Sequence, residues 1–319
     1  MMNKKITRCA LPLLMAAVAL PAAAFNKNAY VVNQADNTVS VIDTTSNAVT
    51  ATIPVGGNPQ GIAVSPNGAE IYVTNGNDNT VSVIKAATNA VVASVPVGGF
   101  PFGVTVSPDG RTIYVANAND NTVSIVDVTK NAVVASVDVG ALPFNVATGP
   151  SGKFVYTSNI GENSVSVIDT RTKAVVATVP VGVAPNGLDV GPLGARIYVA
   201  NSNSNNVSVI DAFTNQVNST IAAGNGAGAV VTSPIGLPVY VSNVSDSTVS
   251  VINPLNSAVI ATVPVGALPG PLAVSRTFGR VYVTNAGSHS VSVINPFTNK
   301  VVATVDVGNV PAAIATQPE

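Results

Sequence analysis

All seven tyrosines of this 319-residue chain fall at a single spacing. They are Tyr30, Tyr72, Tyr114, Tyr156, Tyr198, Tyr240 and Tyr282, each 42 residues from the next. An asparagine follows three residues later every time, from Asn33 to Asn285. A Val-Ser pair recurs from Val39-Ser40 to Val291-Ser292, and a glycine from Gly56 to Gly308. A fixed period of this size restricts a chain to a propeller, a solenoid or an array of stacked units.

The unit itself reads as β throughout. Gly61–Val64 is a short strand A, followed by the turn Ser65-Pro66-Asn67-Gly68. Proline there presets the second turn position, and glycine tolerates positive φ. Glu70–Thr74 is strand B, rich in β-branched and aromatic residues. Asn75–Asn79 is a polar hairpin loop, Thr80–Ile84 strand C, and Ala90–Val97 strand D after a second turn. Four antiparallel strands per 42 residues match one propeller blade. The β-branched content excludes a helical repeat. Leucine-rich and β-helical solenoids use shorter coils without four tight hairpins.

The count closes into a ring. Seven tyrosines mark seven B–C–D units, but the first unit lacks a strand A. Pro311–Thr316 is a strand A with no B after it. The expected fold is a seven-bladed β-propeller over residues 25–319, closed by the C-terminal strand A joining the N-terminal strands B, C and D. Such closure leaves no unpaired inner edge. The hub position Ala63, Thr105, Ala147, Asp189, Val231, Ala273, Ala315 is mostly small, as converging blades require. At the outer edge, Pro54, Pro96, Asp138, Pro180, Pro264 and Asp306 oppose pairing between molecules, while the fifth unit has Ala222 instead.

Residues 1–24 read as a cleaved signal peptide. Lys4, Lys5 and Arg8 precede a short apolar run from Ala10 to Leu20, and Ala22-Ala23-Ala24 offers a small-residue cleavage site. Cys9 precedes the apolar run and is lost with it. Removal leaves 11 basic against 15 acidic residues, a net charge of −4. An exported monomer, periplasmic or at the cell surface, is expected, with no further stretch suited to a transmembrane helix.

The motifs resemble a known family. Tyr72-Val73-Thr74-Asn75 and Tyr282-Val283-Thr284-Asn285 spell YVTN, and Tyr30-Val31-Val32-Asn33, Tyr114-Val115-Ala116-Asn117, Tyr198-Val199-Ala200-Asn201 and Tyr240-Val241-Ser242-Asn243 are near variants. Tyr156-Thr157-Ser158-Asn159 is looser. The chain resembles the YVTN-family β-propeller repeat proteins, which include exported bacterial proteins and archaeal surface-layer proteins. The resemblance implies the fold; function does not follow from it.

Composition narrows the chemistry. Only 9% of residues are charged, with one histidine, one cysteine and no tryptophan. Zinc sites and Ser-His-Asp triads lack their ligands. The B–C loops carry Asp36, Asp78, Asp120, Glu162 and Asp246, one acid each. That is too few for calcium, which takes oxygens from several carboxylates. No cofactor or metal is expected. His289, alone in its B–C loop, reads as a solvated residue. The mature charge opposes nucleic-acid binding, although a local patch at Arg171, Lys173 and Arg196 could supply it.

The D–A connections and B–C loops share one face. There the D–A connections bring Gln60, Phe100, Phe102, Leu142, Phe144, Asn145 and Asn186 toward the mouth of the channel. The four apolar residues among them either form a binding surface or plug gaps between blades. Asp189 is the only acid in any strand A and has no evident basic partner. The expected function is a non-enzymatic binding scaffold of the cell envelope for a protein, glycan or small apolar ligand. A lactonase-like or quinone-linked enzyme centred on Asp189 is the alternative, and a nucleic-acid binder the second.

Overall fold

The computed structural model describes residues 28–275 and 279–318. The signal peptide expected over residues 1–24 lies outside the described residues. The strands form seven four-stranded antiparallel sheets, one per repeat. Blade 2 shows the pattern: A is Pro59–Val64, B is Glu70–Asn75, C is Thr80–Lys85 and D is Ala90–Pro96. Blades 3 to 7 repeat it in order.

Blade 1 is built from both ends of the described chain. Its B, C and D strands are Asn28–Asn33, Thr38–Asp43 and Ala48–Pro54, and its A strand is Pro311–Thr316. Tyr30 opposes Ala315 and Val31 opposes Ile314 across this seam. Beyond it, the Gln317 amide group donates to Gly68 O of blade 2 at 2.7 Å. The seven A strands touch in a closed ring, each packed against its two neighbours.

Blades are glued by apolar faces. One cluster joins Tyr30, Val32, Val39, Val41 and Ile53 of blade 1 to Ile71, Val73 and Ile84 of blade 2. Equivalent clusters fill the other six gaps. Strand alternation puts one side of each blade against the previous blade and the other against the next.

The recurring asparagine explains two further repeats. Asn75 is fully buried at the end of strand B. Its amide group donates to Thr80 Oγ1 and Ser82 Oγ of strand C, both at 2.9 Å. Asn33, Asn117, Asn159, Asn243 and Asn285 make the same pair of bonds to hydroxyls, and Asn201 makes them to Asn206 Oδ1 and Ser208 Oγ. The recurring glycine lies against this amide in the link from the preceding blade. A Cβ on Gly56 would stand 2.6 Å from Asn75 Cγ, and one on Gly182 would stand 2.6 Å from Asn201 Cγ. Real Cβ atoms do not approach a neighbour that closely, so only glycine lets the link pass unshifted.

The A strands begin earlier than the sequence pattern predicts. Pro59 pairs with Asn75, and the ladder then skips to Ile62 opposite Val73. Gln60 and Gly61 thus face Thr74 alone, a bulge repeated with Phe102-Gly103, Phe144-Asn145 and Asn186-Gly187. Gln60, Phe102, Phe144, Asn145 and Asn186 are therefore strand residues and not loop residues. The opening proline needs no ladder N–H, and bulges re-aim side chains.

Asn159→Ala should lower stability by about 1–3 kcal/mol, because two buried serine hydroxyls lose their partner. Gly182→Ala should cost about 1–3 kcal/mol by overpacking. Ala184→Gly, at φ 54° two residues further on, should not destabilise. Chemical denaturation of the three variants checks this.

Candidate functional site

Because strands A and C run away from the D–A connections and B and D run toward them, the disc has two chemically different faces. The upper face carries the D–A and B–C connections. Its B–C loops are tied across to the incoming D–A links. Asp78 accepts the Gly57 N–H at 2.7 Å, Asp120 that of Gly99 at 2.6 Å, and Asp246 that of Asn225 at 2.7 Å. Asp36 closes the ring by accepting the Asn309 N–H at 2.7 Å. Ser204 and Ser288 fill the same place with hydroxyls. The side-chain amide of Asn225 holds Asp246, and the Asn309 amides hold Asp36, below the ordinary carboxylate range. These acids act as loop ties. Among the described residues no three His, Cys, Asp or Glu converge on a point that could hold a metal.

The next loop position makes a second tie. Asn79, in left-handed backbone, accepts the Phe100 N–H at 2.8 Å; Asn121 accepts that of Leu142 at 2.9 Å. His289 stands in the asparagine place of blade 7, and its Nδ1 accepts the Val310 N–H at 3.2 Å. The histidine is exposed, yet it is a structural acceptor and not merely a solvated residue. Phe100, Leu142, Leu268 and Val310 all sit at φ between 50° and 53°. Large side chains are strained there, and such strain clusters at functional surfaces.

The channel encloses about 400 Å³ and is lined by A strands from all seven blades. Its waist is the aliphatic ring Ile62, Val104, Val146, Leu188, Val230, Leu272 and Ile314. The bulge positions above that ring are lopsided. Blades 2 to 5 supply Gln60, Phe102, Phe144 and Asn186, whereas blades 6, 7 and 1 supply Gly228, Gly270 and Ala312. One side of the mouth is walled by large side chains; the other has small bulge residues, with Val244 of the blade 6 B–C loop over Gly228 and a gap beside Gly270 and Ala312.

The wall is aromatic at its centre. Phe102 and Phe144 pack with ring centroids 4.3 Å apart at an interplanar angle of 35°, and Phe100 meets Phe102 at 5.3 Å and 55°. Phe100, Phe102 and Phe144 are half-buried, and Leu142 is 49% exposed. The structure thus brings the four apolar residues expected from sequence to one sector. Gln60 is held by Asn58, its Nε2 donating to Oδ1 at 3.0 Å. Asn145 lines the channel through the blade 4 bulge. Asn186 Oδ1 is buried and meets no donor among the described residues.

Asp189 is the only titratable residue among the described residues that line the channel. It accepts the Thr232 N–H at 2.7 Å and the Thr232 hydroxyl at 2.8 Å, both on the A strand of blade 6, and the Val190 N–H at 2.9 Å. The partner is thus a neighbouring threonine and not a base. Desolvation raises its pKa, and the three donors oppose that rise. A carboxyl raised in the folded state favours the protonated fold. Its contribution to stability is present at acid pH and declines as pH climbs through the folded value.

With the geometry in view, comparison places the chain. A family model described as YNCE-like beta-propeller matches residues 13–105, and one described as Cytochrome D1 heme domain matches residues 73–189. Each match spans less than half of the chain, and together with the seven blades they fit a YVTN-type propeller. Two solved structures share the propeller fold. A functionally unknown protein from Desulfotomaculum acetoxidans is 19% identical with a TM-score of 0.81, over 92% of this chain and 99% of that one. Hydrazine synthase of Kuenenia stuttgartiensis is 22% identical with a TM-score of 0.75, over 82% of this chain and 90% of that one. These identities speak for the fold alone. No curated protein matches the chain.

The Asp189 geometry has a pH signature. The stability of the wild type relative to Asp189→Asn should fall as pH rises from about 4 to 7, the range above an ordinary carboxyl pKa. Paired thermal melts across that range check the sign.

Proposed function

We propose that this YVTN-type propeller is an exported, non-enzymatic binding scaffold of the cell envelope. It takes a neutral, flat and partly apolar ligand, or a partner side chain of that chemistry, at the upper mouth of its channel. The observation that carries the reading is the lopsided bulge ring, with Phe102 and Phe144 opposite Gly228, Gly270 and Ala312. A flat group entering through the gap would lie against the paired rings, and Asn186 Oδ1 would accept a hydrogen bond from it. Pockets of this kind are mostly apolar with a few convergent polar groups. The strained Phe100 and Leu142 beside the mouth add support. Export rests on the signal-like residues 1–24.

The absence of catalysis rests on Asp189. Its hydrogen bonds are spent on backbone and on the adjacent strand, and no second titratable group lines the channel among the described residues. General acid–base chemistry needs groups that converge on substrate. One matching family model names a haem domain. Haem iron takes an axial His, Cys, Met or Tyr. None of these lines the channel among the described residues, and His289 sits in the blade 7 B–C loop. The residues present do not fit an axially held haem.

The test uses N-phenyl-1-naphthylamine, a neutral aromatic probe that brightens in apolar surroundings. Wild type should bind it saturably. Phe102→Ala/Phe144→Ala should weaken binding at least about tenfold, the loss expected when paired aromatic contacts go. Ala312→Phe should do the same by closing the gap. Binding unchanged in both variants overturns the mouth as the site. Ester or lactone turnover abolished by Asp189→Asn overturns the non-enzymatic reading.

A further inference from the structure

The lower face, formed by the A–B and C–D turns, differs from the upper face in charge and in polarity. Every Lys and Arg among the described residues lies on this lower side, from Lys85 at the end of the blade 2 C strand to Lys300 at the start of the blade 7 D strand. The upper face has none among the described residues. It carries Asp36, Asp78, Asp120, Glu162 and Asp246 in loops, and Asp138 and Asp306 at the ends of D strands.

The turn tips of the lower face divide the disc into two sectors. At one C–D turn position blades 1 to 4 carry Thr45, Ala87, Thr129 and Arg171, whereas blades 5 to 7 carry Phe213, Leu255 and Phe297. At one A–B turn position blades 2 to 4 carry Asn67, Asp109 and Ser151, whereas blades 5 and 6 carry Leu193 and Ile235. Leu193 is 91% exposed, Phe213 83%, Leu255 72% and Ile235 71%. Folding does not bury these side chains, and no turn geometry requires them, because other repeats make the same turns with polar residues. Leu193, Ile235 and Leu255 rim an apolar groove of about 350 Å³ between blades 5 and 6.

Cations border the apolar sector. Arg171 and Lys173 project from blade 4 on one side, and Arg280 and Lys300 from blade 7 on the other. Arg196 lies within it, its guanidinium donating to Pro254 O at 3.1 Å. The acids of the sector are Asp169 and Asp211, which accept backbone N–H groups of their own turns. Protruding apolar tips ringed by Lys and Arg, on the face opposite an acidic one, match the chemistry of an anionic bilayer surface. Tips of this kind enter the boundary between headgroups and acyl chains while cations meet lipid phosphates. Among the described residues no helix is long and apolar enough to cross a membrane.

We infer that the lower face of blades 5 and 6 docks on an anionic lipid surface through Leu193, Phe213, Ile235 and Leu255, leaving the acidic upper face and the channel mouth turned away from the bilayer. This orientation is independent of what the channel binds.

The chain has no tryptophan, so a single reporter can be placed on either face. In the full chain, Leu255→Trp reports the lower face and Leu142→Trp the upper. With vesicles of phosphatidylethanolamine and phosphatidylglycerol, the Leu255→Trp emission should shift to the blue and be quenched by brominated acyl chains. The Leu142→Trp emission should do neither. Phosphatidylcholine vesicles or about 0.5 M salt, where screening lengths fall to a few ångströms, should weaken the response several-fold. Leu193→Ser/Phe213→Ser/Ile235→Ser on the reporter background should reduce vesicle affinity by about tenfold or more. No shift at Leu255→Trp, an equal shift at Leu142→Trp, or affinity unchanged by the serine variant overturns the proposal. A blue shift without vesicles that grows with protein concentration also overturns it, assigning the face to a second copy. If the serine variant fails to fold, the two reporters still decide.

Discussion

The structure depends on one small polar contact repeated around the disc: a buried asparagine amide that grips two side-chain oxygens of the next strand while a glycine link presses on its back. The amide fixes the B–C hairpin of its own blade. The glycine fixes where the previous blade hands over the chain. Apolar packing between blades is larger in sum but has no direction. The asparagine supplies geometry and leaves the tyrosine–valine–isoleucine faces to supply cohesion. In blade 6 the two halves meet directly, Gly224 N–H donating to Asn243 Oδ1 at 3.0 Å.

Period, strand order and ring closure were legible because they are properties of spacing. A 42-residue step with alternating β-branched residues has few three-dimensional solutions, and the split first blade is visible as a strand A with no partner downstream. The apolar mouth residues were also legible, although their place was read as loop. The bulge escaped notice because a proline followed by Gln-Gly or Phe-Gly looks like a turn; only the skipped pairing between Pro59 and Ile62 shows that the strand has already begun. The partner of Asp189 was invisible for another reason. Thr232 lies one blade away, and a contact between adjacent hubs leaves no local pattern. His289 likewise looked idle until Val310 was placed beside it.

The partition of charge between the faces sits in the sequence at fixed repeat positions, yet it acquires meaning only with strand direction. Among the described residues, basic side chains fall only where chains turn at the ends of A and C, together with Asp43, Glu70, Asp109, Asp127, Asp169 and Asp211; the turns at the ends of B and D carry acids with no Lys or Arg. Repetition keeps the frame constant, and the departures from repetition carry individuality: the bulge ring above, where four residues are large or polar and three are small, and the turn tips below, where two blades are apolar.

The seam of blade 1 has a consequence for how the molecule comes into being. Asp36 meets Asn309 across 273 residues of intervening chain. Until Pro311–Thr316 arrives, the hub lacks its seventh stave and the ring is a gapped arc. Joining ends so remote carries an entropic toll that nearby hairpins escape, and long-range pairing of this sort is slow. The polypeptide therefore remains unlocked for as long as its tail is unavailable, and the last six-residue strand acts as the latch of the whole disc.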